Sequence, residues 1–174
     1  MSVTSDAFKQ GMRRLCGGVT IVTTREGEQA GGLTATAVCS LSAAPPRLLA
    51  CINRGGITYR MIAESRVFCV NVLSAGQQDL AACFAGMMNM GERDRFDLGN
   101  WTDLGTGAPA LVDALAAFDC RVSSIVDTGS HAIIIGDIME IRTQEPDLPL
   151  LYMDGQFLTT TGVEDHSRTT RSAG

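Results

Sequence analysis

The chain has 174 residues, 45% apolar and 19% charged, with 14 basic residues against 19 acidic ones and a formal net charge of −5. That length suits one domain with a sizeable core, and that composition excludes a disordered chain. No basic run is present, so neither nucleic acid nor an anionic membrane surface has an electrostatic footprint to bind.

The longest apolar stretch, AIIIGDIMEI from Ala132, is broken by Asp137 and falls short of the roughly 20 residues that span a bilayer. No membrane partner is expected. The six cysteines, at 16, 39, 51, 69, 83 and 120, contain no CxxC pair and no metal-finger spacing, and the N-terminus lacks the apolar core of a signal peptide. A cytoplasmic protein with reduced thiols is the expectation.

Phe8, Met12 and Leu15 recur at helical spacing, which predicts a helix over 6–16, capped by Asp6 or Ser5 and stopped by Gly17-Gly18. GVTIVTT and GGLTATAV alternate around the turn REGEQ, which predicts a hairpin of strands 19–24 and 33–38. An irregular loop then ends at Pro45-Pro46, and RLLACI reads as a central strand buried on both faces.

A short helix over 57–65, a strand over 66–72 and a helix over 75–86 closed by Gly86 follow. Residues 87–109 are glycine-rich and aperiodic, a loop excursion. Two long strands meet at a turn around 128–130, and a short strand pair flanks Asp154-Gly155. The domain is expected to occupy 1–162, and the polar tail 163–174 to be disordered. About seven strands against three short helices, without βαβα alternation, give a mostly β fold with peripheral helices, a closed or split barrel.

No GxSxG, HExxH or P-loop is present, and the only histidines are His131 and His166, the latter in the tail. GTGAPA at 105–110 imitates a dinucleotide loop, but it follows no strand and carries Pro109 inside the turn. His131 follows the turn TGS, where it either caps the turn or faces a pocket mouth, and the residues alone favour the structural role. Nothing in the spacing of Asp127, Asp137 or the cysteines requires a metal, so none is expected.

Two stretches point to a ligand. The small residues and hydroxyls of GGLTATAVCS let a flat polar ring approach the backbone, and NRGGIT at 53–58 brings Arg54, Gly55, Thr58 and helix N-terminal amides to a strand-to-helix junction suited to phosphate. Each has a plain alternative, a strand with solvated threonines and an ordinary turn. Together they describe a site for a nucleotide-like cofactor.

In order along the chain, GVTIVTT, GLTATAVCSLSAAPPRLLACIN, RVFCVNVLSAGQQDLAACFAG, Arg95-Phe96 with Trp101 behind, and GSHAIIIGDI resemble the short-chain flavin reductases of the flavin reductase-like split-barrel family. These are reductase components of two-component flavin-dependent monooxygenases. The chain is most similar to the 4-hydroxyphenylacetate 3-monooxygenase reductase group and the pyrimidine-degradation flavin reductases.

The resemblance implies a homodimer with the FMN-binding split-barrel fold. It would use NADH, or else NADPH, to reduce exchangeable FMN or FAD for a partner monooxygenase. It implies that Thr34, Ala35, Thr36 and Ala37 lie along the isoalloxazine with Ser40 near its polar edge. Cys51, Asn53, Arg54, Gly55 and Thr58 would belong to the cofactor site through the ribityl and phosphate, and Phe84, Ala85 and Gly86 would close the pocket. His131 would meet the nicotinamide or the flavin edge as the catalytic residue, which reverses the structural reading. The match fades at GQFLTTTG, where relatives often carry a histidine, and leaves Tyr152 and Phe157 as packing candidates. A split-barrel flavoprotein holding FMN tightly and acting directly on an organic substrate, or a binding module without catalysis, are the alternative expectations.

Overall fold

The computed structural model describes residues 3–88, 90, 94–145 and 147–161; His166 and the tail lie outside them. Helix α1 (Ser5–Met12) is capped by Thr4, ahead of both expected caps, Ser5 and Asp6, because the Thr4 hydroxyl accepts the Ala7 N–H at 3.2 Å. It also ends earlier than expected. Gly17-Gly18 does not stop it but forms β1 (Gly17–Gly18), and Phe8, Met12 and Leu15 stay exposed.

Strands β2 (Thr20–Glu26) and β3 (Gln29–Ala35) form the expected hairpin, with Gly27 at φ +57° in the turn. The expected loop after it is instead an edge strand, β4 (Val38–Ala43), paired with β5 (Pro46–Asn53). Every β4 residue after Val38 is exposed, so no alternation marks it in the sequence. β5 buries Leu48, Ala50 and Ile52 but leaves the intervening Leu49 and Cys51 half-covered, which corrects the expectation of burial on both faces.

Helix α2 (Ile57–Ser65), strand β6 (Val67–Val72) and helix α3 (Gln78–Phe84) follow as predicted, the last behind a 3₁₀ turn whose Ser74 and Gln77 cap each other. The excursion contains a small ribbon, β7 (Trp101–Asp103) with β8 (Pro109–Leu111). β9 (Ala116–Asp127) and β10 (His131–Thr143) make the long hairpin, and β11 (Leu151–Met153) with β12 (Gln156–Leu158) the short one. β1 joins β11, so the N-terminal segment is sewn to the far end of the chain.

Seven strands form one antiparallel sheet in the order β3-β2-β6-β9-β10-β5-β4. Residues from nearly its whole width, including Val22, Ala35, Ala50, Phe68, Val122 and Ile134, meet in one buried cluster, so the sheet curls around a common core. The hydrogen-bonded ladder does not close, and β3 and β4 remain its two ends. Gly136 is required there: a Cβ at that position would stand 2.5 Å from Phe68 Cζ. A second cluster joins α3, Leu111, Leu150 and the aromatic trio Phe84, Phe96 and Trp101, whose centroids lie 5.1–5.5 Å apart.

Asn71, fully buried on β6, donates to the Ile21 carbonyl at 3.1 Å and the Thr23 hydroxyl at 3.2 Å, and accepts the Leu111 N–H at 2.7 Å. One amide thus fastens β2 and β8 to β6. The GTGAPA loop is held by carboxylates: Gly105 N–H donates to Glu140, while the Thr106 N–H and hydroxyl both donate to buried Asp119. Burial pushes the Asp119 carboxyl up, against the pull of the Thr106 bonds. A loop whose amides already serve two carboxylates is no phosphate cradle, but the grounds read from the sequence are corrected: the loop does follow a strand, β7, and Pro109 opens β8 instead of lying in the turn.

Candidate functional site

Thr36 and Ala37 form the connection between β3 and β4, lie in neither strand and are exposed. Their position is fixed from both sides. A Cβ on Gly17 would come 2.9 Å from Thr36 Cβ, so β1 can press against Thr36 only as glycine. The Ala37 carbonyl accepts the Cys51 N–H at 2.9 Å, which ties the connection to β5.

Two cavities share Thr36 and Tyr152 as walls. The smaller, about 190 Å³, is lined by Val19, Thr34, Ala35, Ala85, Met87 and Phe157 as well. The larger, about 630 Å³, runs from Thr36 and Ala37 to Phe8, Met12 and Arg13 of the N-terminal segment and to Met153 and Asp154. The larger volume falls in the range of about 300–1,000 Å³ typical of small-molecule sites. Tyr152 and Phe157 stack edge to face, with centroids 5.3 Å apart, and so form an aromatic wall opposite small residues. That combination fits a planar heterocycle.

The expected residues contribute to these walls unequally, and some do not reach them. The Thr34 hydroxyl donates to the Ala81 carbonyl at 2.7 Å, and Ala35 is only 9% exposed, with its methyl in the core. Phe84, expected to close the pocket, is 2% exposed and sits in the aromatic core, where a Cβ on Gly32 would meet it at 2.7 Å. Ala85 does line the smaller cavity, and Gly86, at φ +74°, turns the chain out of α3. Ser40 is exposed on the β4 edge.

A second group gathers at the end of β5. Asn53 lies directly opposite His131 in the β5–β10 ladder, so residues 78 positions apart in sequence become neighbours. Asn53 Oδ1 accepts the Gly55 N–H at 2.8 Å, which shapes the turn into α2. Thr58 is buried in the first turn of that helix, at 3% exposure. His131 is exposed and its Nδ1 lies 2.9 Å from the Ser130 hydroxyl. The Arg54 guanidinium pairs with Asp127 and reaches the Gly129 carbonyl.

Cys51 links the groups, bonded through its N–H to Ala37 and two residues from Asn53 on the same strand face. Sequence reasoning misses Val19 and the α1 residues Phe8 and Met12 as cavity walls, because each reads as ordinary apolar periodicity, and Met87, because it opens an aperiodic stretch. Among the described residues no group of three or more His, Cys, Asp or Glu side chains is placed to hold a metal ion. No described helix is long and apolar enough to cross a membrane.

The flavin reductase like domain model matches residues 12–161. The chain is 42% identical over 150 residues to FMN reductase (NADH) RutF 2 of Rhizobium rhizogenes, covering 86% of each protein. Among solved structures it superposes on the flavin reductase PheA2 with a TM-score of 0.84 at 30% identity, covering 92% of this chain and all of that one. It also superposes on BorF, the flavin reductase component of a bacterial two-component tryptophan halogenase, at 0.83 and 29%, with 92% and 100% covered. With a family model spanning most of its length and the site walls described above, the chain belongs to the flavin reductase like domain family.

Proposed function

We propose that this protein is an NADH-dependent flavin reductase that takes FMN or FAD as a diffusible substrate and hands the reduced form to a partner monooxygenase. The observation that carries the reading is the Thr36–Ala37 connection, outside both flanking strands and beside two cavities that share Thr36 and Tyr152 as walls. The names of its relatives, FMN reductase (NADH) and reductase components of two-component systems, support the same activity.

In this reading the isoalloxazine lies along Thr36 and Ala37 beside Ala85 and Tyr152, and the ribityl phosphate runs toward Asn53, Gly55 and Thr58. Hydride passes from the nicotinamide to the flavin, so the reaction needs the two rings stacked at about 3–3.5 Å more than it needs an ionised side chain. The chain supplies small walls that admit close approach and backbone N–H groups near 36–37 to receive developing negative charge. His131, beside Asn53, orients the nicotinamide nucleotide.

The same reading makes the protein a homodimer of split barrels working among reduced cytoplasmic thiols. Leu49, Cys51, Val126, Ile133 and Ile135 are juxtaposed by register on the sheet face turned from the core, and none joins a buried cluster. Such a face suits a second copy. All six cysteines are free.

Anaerobic mixing of FMN, NADH and a catalytic amount of protein should bleach the 450 nm flavin band over many turnovers; bleaching no faster than without protein would refute the activity. The His131→Ala variant should raise the KM for NADH about tenfold, leaving the FMN KM within about twofold. Unchanged NADH kinetics would remove His131 from the site.

A further inference from the structure

The sequence places Arg54 as a cation for phosphate, yet its charge is already engaged. Arg54 Nη1 donates to Asp127 Oδ2 at 2.5 Å and to the Gly129 carbonyl at 3.0 Å, and the Arg54 N–H donates to the Ser130 carbonyl at 3.0 Å. One residue thus grips three members of the 127–130 turn. Its guanidinium also lies 5.9 Å from the Tyr59 ring centroid, and its Nε is enclosed, which leaves it little freedom to swing toward a ligand.

The turn it grips carries His131. Asp127 Oδ1 accepts the Gly129 N–H at 2.8 Å, so the carboxylate shapes the turn with one oxygen and holds Arg54 with the other. The Thr128 N–H and hydroxyl both donate to the His131 carbonyl, at 3.0 and 2.8 Å, and the Ser130 hydroxyl meets His131 Nδ1 at 2.9 Å. Gly129, at φ +95°, permits the reversal. From Arg54 to the imidazole every link is a hydrogen bond or an ion pair.

We infer that Arg54 is a positioning residue: its Nη1 bonds to Asp127 and Gly129 lock the β9–β10 turn onto the β5–α2 junction and so fix the orientation of the His131 imidazole, which the ladder places beside Asn53, for the pyridine nucleotide. The inference rests on the proposed reading of His131. The pair is partly exposed, 38% for Arg54 and 56% for Asp127, so it contributes little to global stability, and its effect appears in nucleotide binding. Lysine keeps the charge but not the planar guanidinium set over the Tyr59 ring, and restores the function only in part.

The test is initial-rate kinetics on the full-length protein, with NADH varied at saturating FMN and FMN varied at saturating NADH. Arg54→Ala and Asp127→Ala should each raise the NADH KM about fivefold, leave the FMN KM and kcat within about twofold, and keep the melting temperature near wild type. Arg54→Lys should recover part of the loss. In a His131→Ala background, adding Arg54→Ala should change the NADH KM by less than about twofold, because a clamp has nothing left to position.

A rise in the FMN KM with the NADH KM fixed would overturn the inference and make Arg54 a phosphate ligand. Multiplying effects in the double variant would also overturn it. A silent Arg54→Ala beside a strong His131→Ala removes the clamp alone. A silent His131→Ala removes the reading on which the clamp depends.

Discussion

Replacing Ala37 by tryptophan is expected to lower kcat/KM for FMN at least about a hundredfold while shifting the melting temperature by no more than about 2 °C. Ala37 is exposed, outside both flanking strands, and borders the larger cavity, so an indole there occupies the space of a stacked ring without entering the core. Its backbone bond to Cys51 is unaffected by the side chain. Ala35 is the instructive control. Its methyl already packs in the core at 9% exposure, so tryptophan there overpacks the sheet and lowers stability as well as activity. Steady-state kinetics and thermal melts of the two variants together separate a blocked site from a damaged fold. An Ala37→Trp enzyme with normal FMN kinetics would take the flavin ring off this connection.

The second large effect concerns the core. Asn71→Leu should cost about 3 kcal/mol, seen as a lower urea midpoint and a melting temperature reduced by about 10 °C. Leucine fits the volume roughly but orphans the Leu111 N–H, now satisfied by the Asn71 amide in a fully buried setting, and removes the amide's bonds to the Ile21 carbonyl and the Thr23 hydroxyl. Loss of the Leu111 tie also frees β8, which packs in the same cluster as Phe84, so activity should fall with stability. A variant as stable as wild type would show that water replaces the amide at that site.

Much of the fold is legible in the sequence because its period is strong. The hairpins around Gly27 and around 128–130, the helix over 57–65 and the strand pair around Asp154-Gly155 stand where alternation and turn chemistry place them. β4 is not legible, since an exposed edge strand of small polar residues has no buried face to betray it. α1 is legible from its apolar spacing, but that spacing does not show that Phe8 and Met12 stand exposed at a cavity rim.

Of the site, the small wall at 34–37 is readable because threonine and alanine alternating there leave backbone accessible. The juxtaposition of Asn53 and His131 is not readable, because it depends on the β5–β10 register. Nor is the engagement of Arg54 with Asp127, a contact across 73 positions that no local pattern encodes. Phe84 shows the limit of motif transfer within one short stretch, since its neighbour Ala85 lines a cavity while its own ring fills the core.

The most direct test of the account is NADH oxidation at 340 nm by extensively dialysed protein, with and without added FMN or FAD. A reductase that takes flavin as a diffusible substrate should give a colourless preparation with negligible oxidation alone and a rate that rises and saturates with free flavin. A preparation that stays yellow and oxidises NADH without added flavin, or one that oxidises none when flavin is supplied, would contradict it.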